Sequence, residues 1–217
     1  DHPGIRLRLQ MDSPDVLGRS LRSRAIDIAV AEGSVLEQDP DLELVGRLLP
    51  PIKAYFVARS KHPLRSRTDL TLADLLAYPF AQVVSFPPRI LKPLLACRAR
   101  IRATLPPFPS IDCPSFVLAK SAIIDSDAIT VAILGLVKDE MERGQLVPLF
   151  EQPWMQSNWM IFKLRGRSLG PAALALADEL RRAHQELARE EAALRDRWFA
   201  GRAATARPAA AIRSRKR

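Results

Sequence analysis

The sequence predicts an α/β fold in which strands and helices alternate along most of the chain. Three observations carry that expectation. Short apolar runs with strand periodicity recur, amphipathic helical stretches separate them, and residues 5–32 contain the whole repeat in miniature. That segment, IRLRLQMDSPDVLGRSLRSRAIDIAVAE, reads as strand, polar turn, helix, turn, strand, which is a parallel βαβ unit. Such a unit puts a ligand-sized crevice at the carboxyl end of its first strand, beside a helix N-terminus.

The elements follow in order. Residues 5–10 alternate apolar and polar, a strand signal. Pro14 suits a first helical turn, with Ser13 as its N-cap, and Val16, Leu17 and Leu21 give that helix an apolar face. Residues 26–30 (IDIAV) form a short, mostly apolar strand of the kind buried in parallel sheets. Residues 42–49 and 52–58 read as two further strands, the second ending at Arg59-Ser60-Lys61-His62-Pro63-Leu64. Residues 71–77 are a short helix capped near Thr71, and residues 80–84 a strand running into Ser85-Phe86-Pro87-Pro88. Residues 90–102 are helical with an interruption near Pro93. Pro106-Pro107-Phe108-Pro109 is a stiff connector to a short strand at 110–112. Ser115 caps a helix running to about Ile124, and residues 128–132 (AITVA) are a strand. A helix over 137–143 closes at Gly144, and residues 146–149 and 158–164 are the last strands. Pro171 opens a long helix reaching about Phe199, with a stripe of Leu176, Leu180, Ala183, Leu187 and Leu194 and a stop at Gly201.

Composition limits the function classes. The 217 residues are enough for one large domain or two lobes, and 47% hydrophobic residues can fill a core. The net charge of +9 is unevenly spread. The last 21 residues hold six arginines, Lys216 and no acid, so the body is almost neutral. A basic tail over 201–217 on a neutral body reads as a solvated extension, not as a nucleic-acid surface. No apolar run reaches a membrane span and no signal peptide opens the chain. Cys97 and Cys113 lack metal-ligand spacing and read as buried thiols of a reducing cytosol. The opening Asp-His-Pro, without an initiator methionine, reads as part of something longer.

Little in the sequence suggests catalysis. Gly166-Arg167-Ser168-Leu169-Gly170 matches G-x-S-x-G and lies between a strand and a helix, as a nucleophile elbow requires. Geometry removes it. Asp178 and His184 lie on the helix that starts at Pro171, and His184 is ~13 residues, or ~20 Å, along that rod. Neither folds back to Ser168, so the segment reads as a helix start and the chain as a non-enzyme. His62 before Pro63 reads as a structural turn histidine. Asp125 and Asp127 flank Ser126 without enough convergent oxygens for a metal. No cofactor motif occurs.

Five segments in order carry a resemblance. Leu21–Val30 is similar to the L-x-x-G-x-L-D-L-A-I segment of LysR-type transcriptional regulators. Lys61-His62-Pro63-Leu64 resembles their H-P-L turn, and Leu72-Ala73-Asp74-Leu75 the L-x-D-L that follows. Glu142–Leu149 resembles G-x-L-V-x-L, and Arg167–Ala173 resembles the R-x-L-S-P-A-A that opens the last long helix. The resemblance covers about residues 2–184. Two departures stand out: Arg24 where the family often has Gly, and Ser126-Asp127-Ala128-Ile129-Thr130 in place of G-x-G-I-x.

The resemblance implies the effector-binding part of such a regulator. Its fold would be periplasmic-binding-protein type II-like, with two Rossmann-like lobes joined by two crossing strands. Lobe I would hold residues 1–59 and 163–200, and lobe II residues 60–162, with crossings near 58–60 and 162–164. A small-molecule effector, an organic acid or sugar-like metabolite, would lie between the lobes. The expected contacts are Asp12, Ser13, Glu32 and Gly33 on the first lobe and Ser85, Phe86, Ser115, Phe116 and Thr130 on the second. Acidic Asp12 and Glu32 would disfavour a strongly anionic ligand. The assembly would be a cytoplasmic homodimer or homotetramer that reaches DNA only through an N-terminal winged helix-turn-helix outside this chain. A transporter's solute-binding protein, which shares the fold, is the alternative.

Overall fold

A computed structural model describes residues 4–47, 49–67, 69–82, 86–113 and 115–199, without side-chain detail at 34 and 35. The basic tail over 201–217, the expected stop at Gly201 and the candidate Ser85 lie outside the described residues.

The chain opens with residues 5–13 in no regular structure, followed by α1 (Pro14–Arg22), β1 (Ala29–Glu32), α2 (Gly33–Leu36) and β2 (Leu42–Leu44). β3 (Ile52–Lys53) and β4 (Tyr55–Arg59) lead through a 3-10 turn at Pro63–Ser66 to α3 (Leu72–Leu76) and β5 (Ala81–Gln82). Then come α4 (Pro88–Arg98), β6 (Ile111–Asp112), α5 (Phe116–Ile124) and β7 (Thr130–Ala132). A 3-10 turn at Leu134–Val137 continues into α6 (Lys138–Glu142), β8 (Leu146–Phe150), β9 (Gln156–Ser157), β10 (Trp159–Leu164) and α7 (Pro171–Phe199).

Two three-stranded sheets organise these elements. The first has the order β1-β10-β2 and the second β7-β4-β8, and in each the central strand is antiparallel to both neighbours. β3 and β9 pair antiparallel, Ile52 with Ser157 and Lys53 with Gln156, between the two sheets in chain order. The parallel pairing is local: β5 with β6, and a bridge from Phe80 to Ile129.

The parallel βαβ unit expected over residues 5–32 does not form. Helix α1 and strand β1 are present, but residues 5–10 pair with nothing among the described residues, and Ile5, Leu7, Leu9 and Met11 are exposed. The alternation is genuine strand chemistry, but a strand without a ladder partner has no stability of its own. β4 and β10, both expected as strands with the crossings near their ends at 58–60 and 162–164, are the central strands of the two sheets. α4 runs unbroken through Pro93, because Ile90 and Leu94 are buried on either side and outweigh one lost backbone bond.

Each sheet is covered on both faces. Ala29 and Ala31 of β1 and Phe162 of β10 pack with Leu17 and Leu21 of α1, while Ile161 on the opposite face packs with Val45, Leu49 and Ala177 of α7. In β4, Phe56 and Ala58 face Leu75, Leu76, Ile90 and Leu94, and Tyr55 and Val57 face Ile123, Leu134, Met141 and Leu194. A strand buried on both faces must be apolar throughout, as YFVA is.

The family motifs mark where the backbone needs them. After α1, Arg24 N–H donates to Leu21 O at 3.1 Å and Ala25 N–H to Ser20 O at 2.9 Å, the Schellman pattern, with Arg24 at φ 61°. Gly144 at φ 69° closes α6 in the same way. Thr71 and Asp74 form a reciprocal capping box on α3. His62 is the expected turn histidine. It is 2% exposed, its Nδ1 accepts from Leu64 N–H at 3.1 Å, and its Nε2 donates to Asp127 O at 3.1 Å.

Two predictions follow from these positions. Arg24→Gly removes the left-handed cost of a Cβ and should raise stability by about 1 kcal/mol, read as a higher urea midpoint; a lower midpoint counts against the motif. Burial holds the His62 imidazole below its ordinary range, against the pull of the Asp127 carbonyl. The unfolded chain therefore takes up the proton first, so His62 costs stability as pH falls through about 6.5 toward the depressed native value. His62→Ala should lower stability by about 2 kcal/mol at pH 8, read as a lower urea midpoint, and show a shallower loss between pH 7 and 5 than the parent.

Candidate functional site

Where the chain passes between the sheets, a set of interacting polar groups links them. Glu32 ends β1, and its Oε1 accepts from Arg89 on the first turn of α4, whose Ile90 and Leu94 pack on the second sheet. Asn158, between β9 and β10, donates its backbone N–H to the same oxygen at 3.3 Å. Its carbonyl accepts from Gly33 N–H at 2.9 Å. The Glu32 side chain is 14% exposed and that of Arg89 26%, so the pair is mostly shielded. Arg89 Nε and Asn158 Oδ1 are both buried and make no hydrogen bond among the described residues. A buried donor and a buried acceptor left without partners cost free energy that a ligand with the complementary groups restores.

The sequence signalled Glu32 but missed Arg89 and Asn158. Arg89 stands at a helix N-terminus with two prolines before it, which is a legible position for an anion contact. Asn158 had no such signal, because its role depends on β10 pairing with β1.

The remaining candidates divide. Asp12 and Ser13 are exposed at the start of α1; Asp12 Oδ1 accepts from Ser13 N–H at 2.9 Å, and the Ser13 hydroxyl makes no cap bond. Ser115 occupies the N-cap of α5, again without a side-chain cap bond. Gly33 is buried, and a Cβ there would meet Met160 Sδ at 2.4 Å, so close packing against β10 is what its missing side chain permits. Phe86 packs against the Phe56 and Phe80 side of the core, and Phe116 against the Tyr55 and Val57 side. Thr130 is fully buried, and its hydroxyl donates to Ala81 O at 2.9 Å.

The S-D-A-I-T departure is a scaffold lock. Ser126 Oγ donates to Ala122 O at 2.7 Å and accepts from Ala128 N–H at 3.1 Å. The Asp127 carboxylate pairs with Arg59 at 2.8 Å. Ala128 and Ile129 are buried.

Ser168 gains no catalytic partners. The ring of His184 faces Pro50 O from Nε2 at 2.8 Å, and Asp178 pairs with Arg181. Two open hollows, about 430 Å³ beside Gly46, Lys163 and Arg167 and about 510 Å³ along residues 60–66, touch none of the candidate residues. Among the described residues no three His, Cys, Asp or Glu side chains converge as a metal site, and no helix is long and apolar enough to cross a membrane.

Comparison with known proteins places this arrangement. The family described as the LysR substrate binding domain matches residues 1–185. The SDS degradation transcriptional activation protein of a Pseudomonas species is 32% identical over 183 residues, covering 81% of this chain and 56% of that protein. The chain thus spans about half the length of the curated relatives it matches. The regulatory domain of Synechocystis CcmR, solved in complex with 2-PG, superposes with a TM-score of 0.63 at 18% identity, covering 84% of this chain and 85% of that one. The effector binding domain of QuiR, in complex with shikimate, gives 0.58 at 17%, covering 81% and 79%. These likenesses show the type II periplasmic-binding-protein-like α/β fold. The matches are to regulators and give no support to the transporter alternative. The chain belongs to the LysR substrate binding domain family.

Proposed function

We propose that this chain is the effector-sensing module of a LysR-type regulator and that its effector is a small hydroxylated organic acid. The observation that carries this reading is the Glu32–Arg89–Asn158 cluster spanning the two sheets, with its unpaired buried donor and acceptor. Arg89 offers a guanidinium fork, the geometry that recognises a carboxylate with two bonds. The Asn158 carboxamide oxygen accepts from a neighbouring hydroxyl. Glu32 does not repel such a ligand on balance, because Arg89 already neutralises it. The two neighbours solved with 2-PG and shikimate are consistent with an effector of this general size.

In this reading the lobes divide at the β3–β9 pair. Lobe I carries β1, β2 and β10, and lobe II carries β4 to β8. This shifts the boundary expected at 59 and 163 to about 53 and 157. Asp12, Ser13 and Ser115 would add polar contacts at the rim. Gly33, Phe86, Phe116 and Thr130 would shape the walls from behind. Nothing in the reading requires a cofactor or a reaction. The effector bridges the lobes, shifts the population of their relative angles, and so changes how a homodimer or homotetramer presents its DNA-binding segments in the cytoplasm.

The test is a thermal-shift and calorimetric panel of hydroxylated carboxylates against neutral sugars. A ligand at 100 times its Kd stabilises by about 2.7 kcal/mol, which raises Tm by several degrees in a domain of this size. Acids should stabilise and neutral sugars should not. Arg89→Ala should weaken the best acid at least tenfold, and Glu32→Gln should strengthen it by removing the internal competitor. Stabilisation by neutral sugars alone, or an Arg89→Ala variant that binds the acid unchanged, would sink the assignment.

A further inference from the structure

The last helix does more than close the first sheet. α7 has 29 residues, about 43 Å at 1.5 Å per residue, and the family match ends within it at residue 185. Its first half packs on the first sheet. Ala177 is buried with Val45, Leu49 and Ile161; Arg181 donates to Val45 O; and His184 Nε2 donates to Pro50 O at 2.8 Å.

Its second half packs on the second sheet. Leu194 is 7% exposed among Tyr55, Val57, Leu134, Val137 and Leu146. The Phe199 ring stacks on Tyr55 with centroids 5.4 Å apart. Glu191 is 5% exposed, and its carboxylate accepts from the N–H of Leu134 at 2.9 Å and from that of Gly135. Gly135 is what permits the approach: a Cβ there would sit 2.9 Å from Glu191 Oε1 and 3.0 Å from Leu187 Cδ1. Burial pushes the Glu191 carboxyl up, against the opposing pull of Gly135 and Leu134. A buried acid in a helix is costly unless its donors are fixed, and here they belong to the other sheet's layer.

We propose that residues 186–199 are a strap that ties the second sheet to the first and sets the angle between them. One continuous helix is anchored on both sheets, while the segments that carry the chain from one sheet to the other pair over the short β3–β9 ladder. Bending at that pair therefore requires either the helix or its Glu191–Leu194–Phe199 anchor to yield. The strap holds the resting angle, and any ligand that closes the sheets together works against it. The proposal does not depend on which effector binds.

The experiment measures the inter-sheet distance by pulsed electron resonance. Spin labels at Arg19→Cys on α1 and Arg100→Cys after α4 are placed in a Cys97→Ser, Cys113→Ser background of the full chain. Two variants release the strap. Glu191→Ala with Leu194→Ala removes the anchor, and Gly135→Ala wedges it from the other side without changing any residue of the helix. In both, the distance distribution should broaden at least twofold. Amide exchange should accelerate at least tenfold over residues 187–199 but remain unchanged over 174–184. An unchanged distance distribution in a folded variant whose 187–199 amides have lost protection overturns the strap. Gly135→Ala decides the matter if the double variant does not fold, and protection kept over 187–199 in Gly135→Ala also counts against it.

Discussion

A ladder of two residue pairs, Ile52 with Ser157 and Lys53 with Gln156, is the constraint on which the rest depends. Two residues after Ile52–Lys53 the chain enters β4, and two residues after Gln156–Ser157 it enters β10. Those are the central strands of the two sheets, each antiparallel to both neighbours. A slip of one residue in this ladder would put its register out of step with the pairing of β4 and β10 in their own sheets, and would carry Asn158 away from Glu32. The ladder is reinforced by Ala54 N–H donating to Met155 O at 3.0 Å and by the Lys53–Glu151 ion pair at 3.3 Å.

The polar groups at this junction show how much a charge depends on its neighbours. As a lone acid, Glu32 argues against an anionic ligand. Beside Arg89, mostly shielded from solvent, it becomes half of a neutral pair whose other half has a donor to spare. A shielded ion pair of this kind is weak evidence for stability, because desolvation offsets much of the attraction. It is better evidence for specificity. The pair links the end of β1 to the start of α4, and Arg89 Nε beside it is buried without a hydrogen bond among the described residues.

The long helix shows the same economy of means at the opposite side. Its first half fills a face of the first sheet with small and apolar side chains, and Ala177 is fully buried there. Its second half carries the acid that caps the Leu134–Val137 turn and the aromatic ring that covers Tyr55. In the sequence this helix is one amphipathic stripe. The stripe's two ends serve different sheets, and Gly135, a distant residue with no helix signal of its own, decides how closely the second end can seat.

The sequence alone determined the class of fold, the order of most elements and the family. Turn and cap chemistry made this possible, since it is local: Pro171 at a helix start, Thr71 with Asp74, His62 before Pro63, and Gly144 after a helix all act over three or four residues. Pairing was not legible. Residues 5–10 have strand alternation but no partner among the described residues, whereas β4 and β10, legible as strands, gave no sign of being the centres of the sheets. The site was partly legible for the same reason. Glu32 could be picked from the end of an apolar strand. Arg89 and Asn158 lie 57 and 126 residues away, and the spare bonds of Thr130 and Gly33 are spent on neighbours that no local pattern reveals. Hydrogen-bond partners across such separations are set by register and packing, which only the tertiary structure fixes.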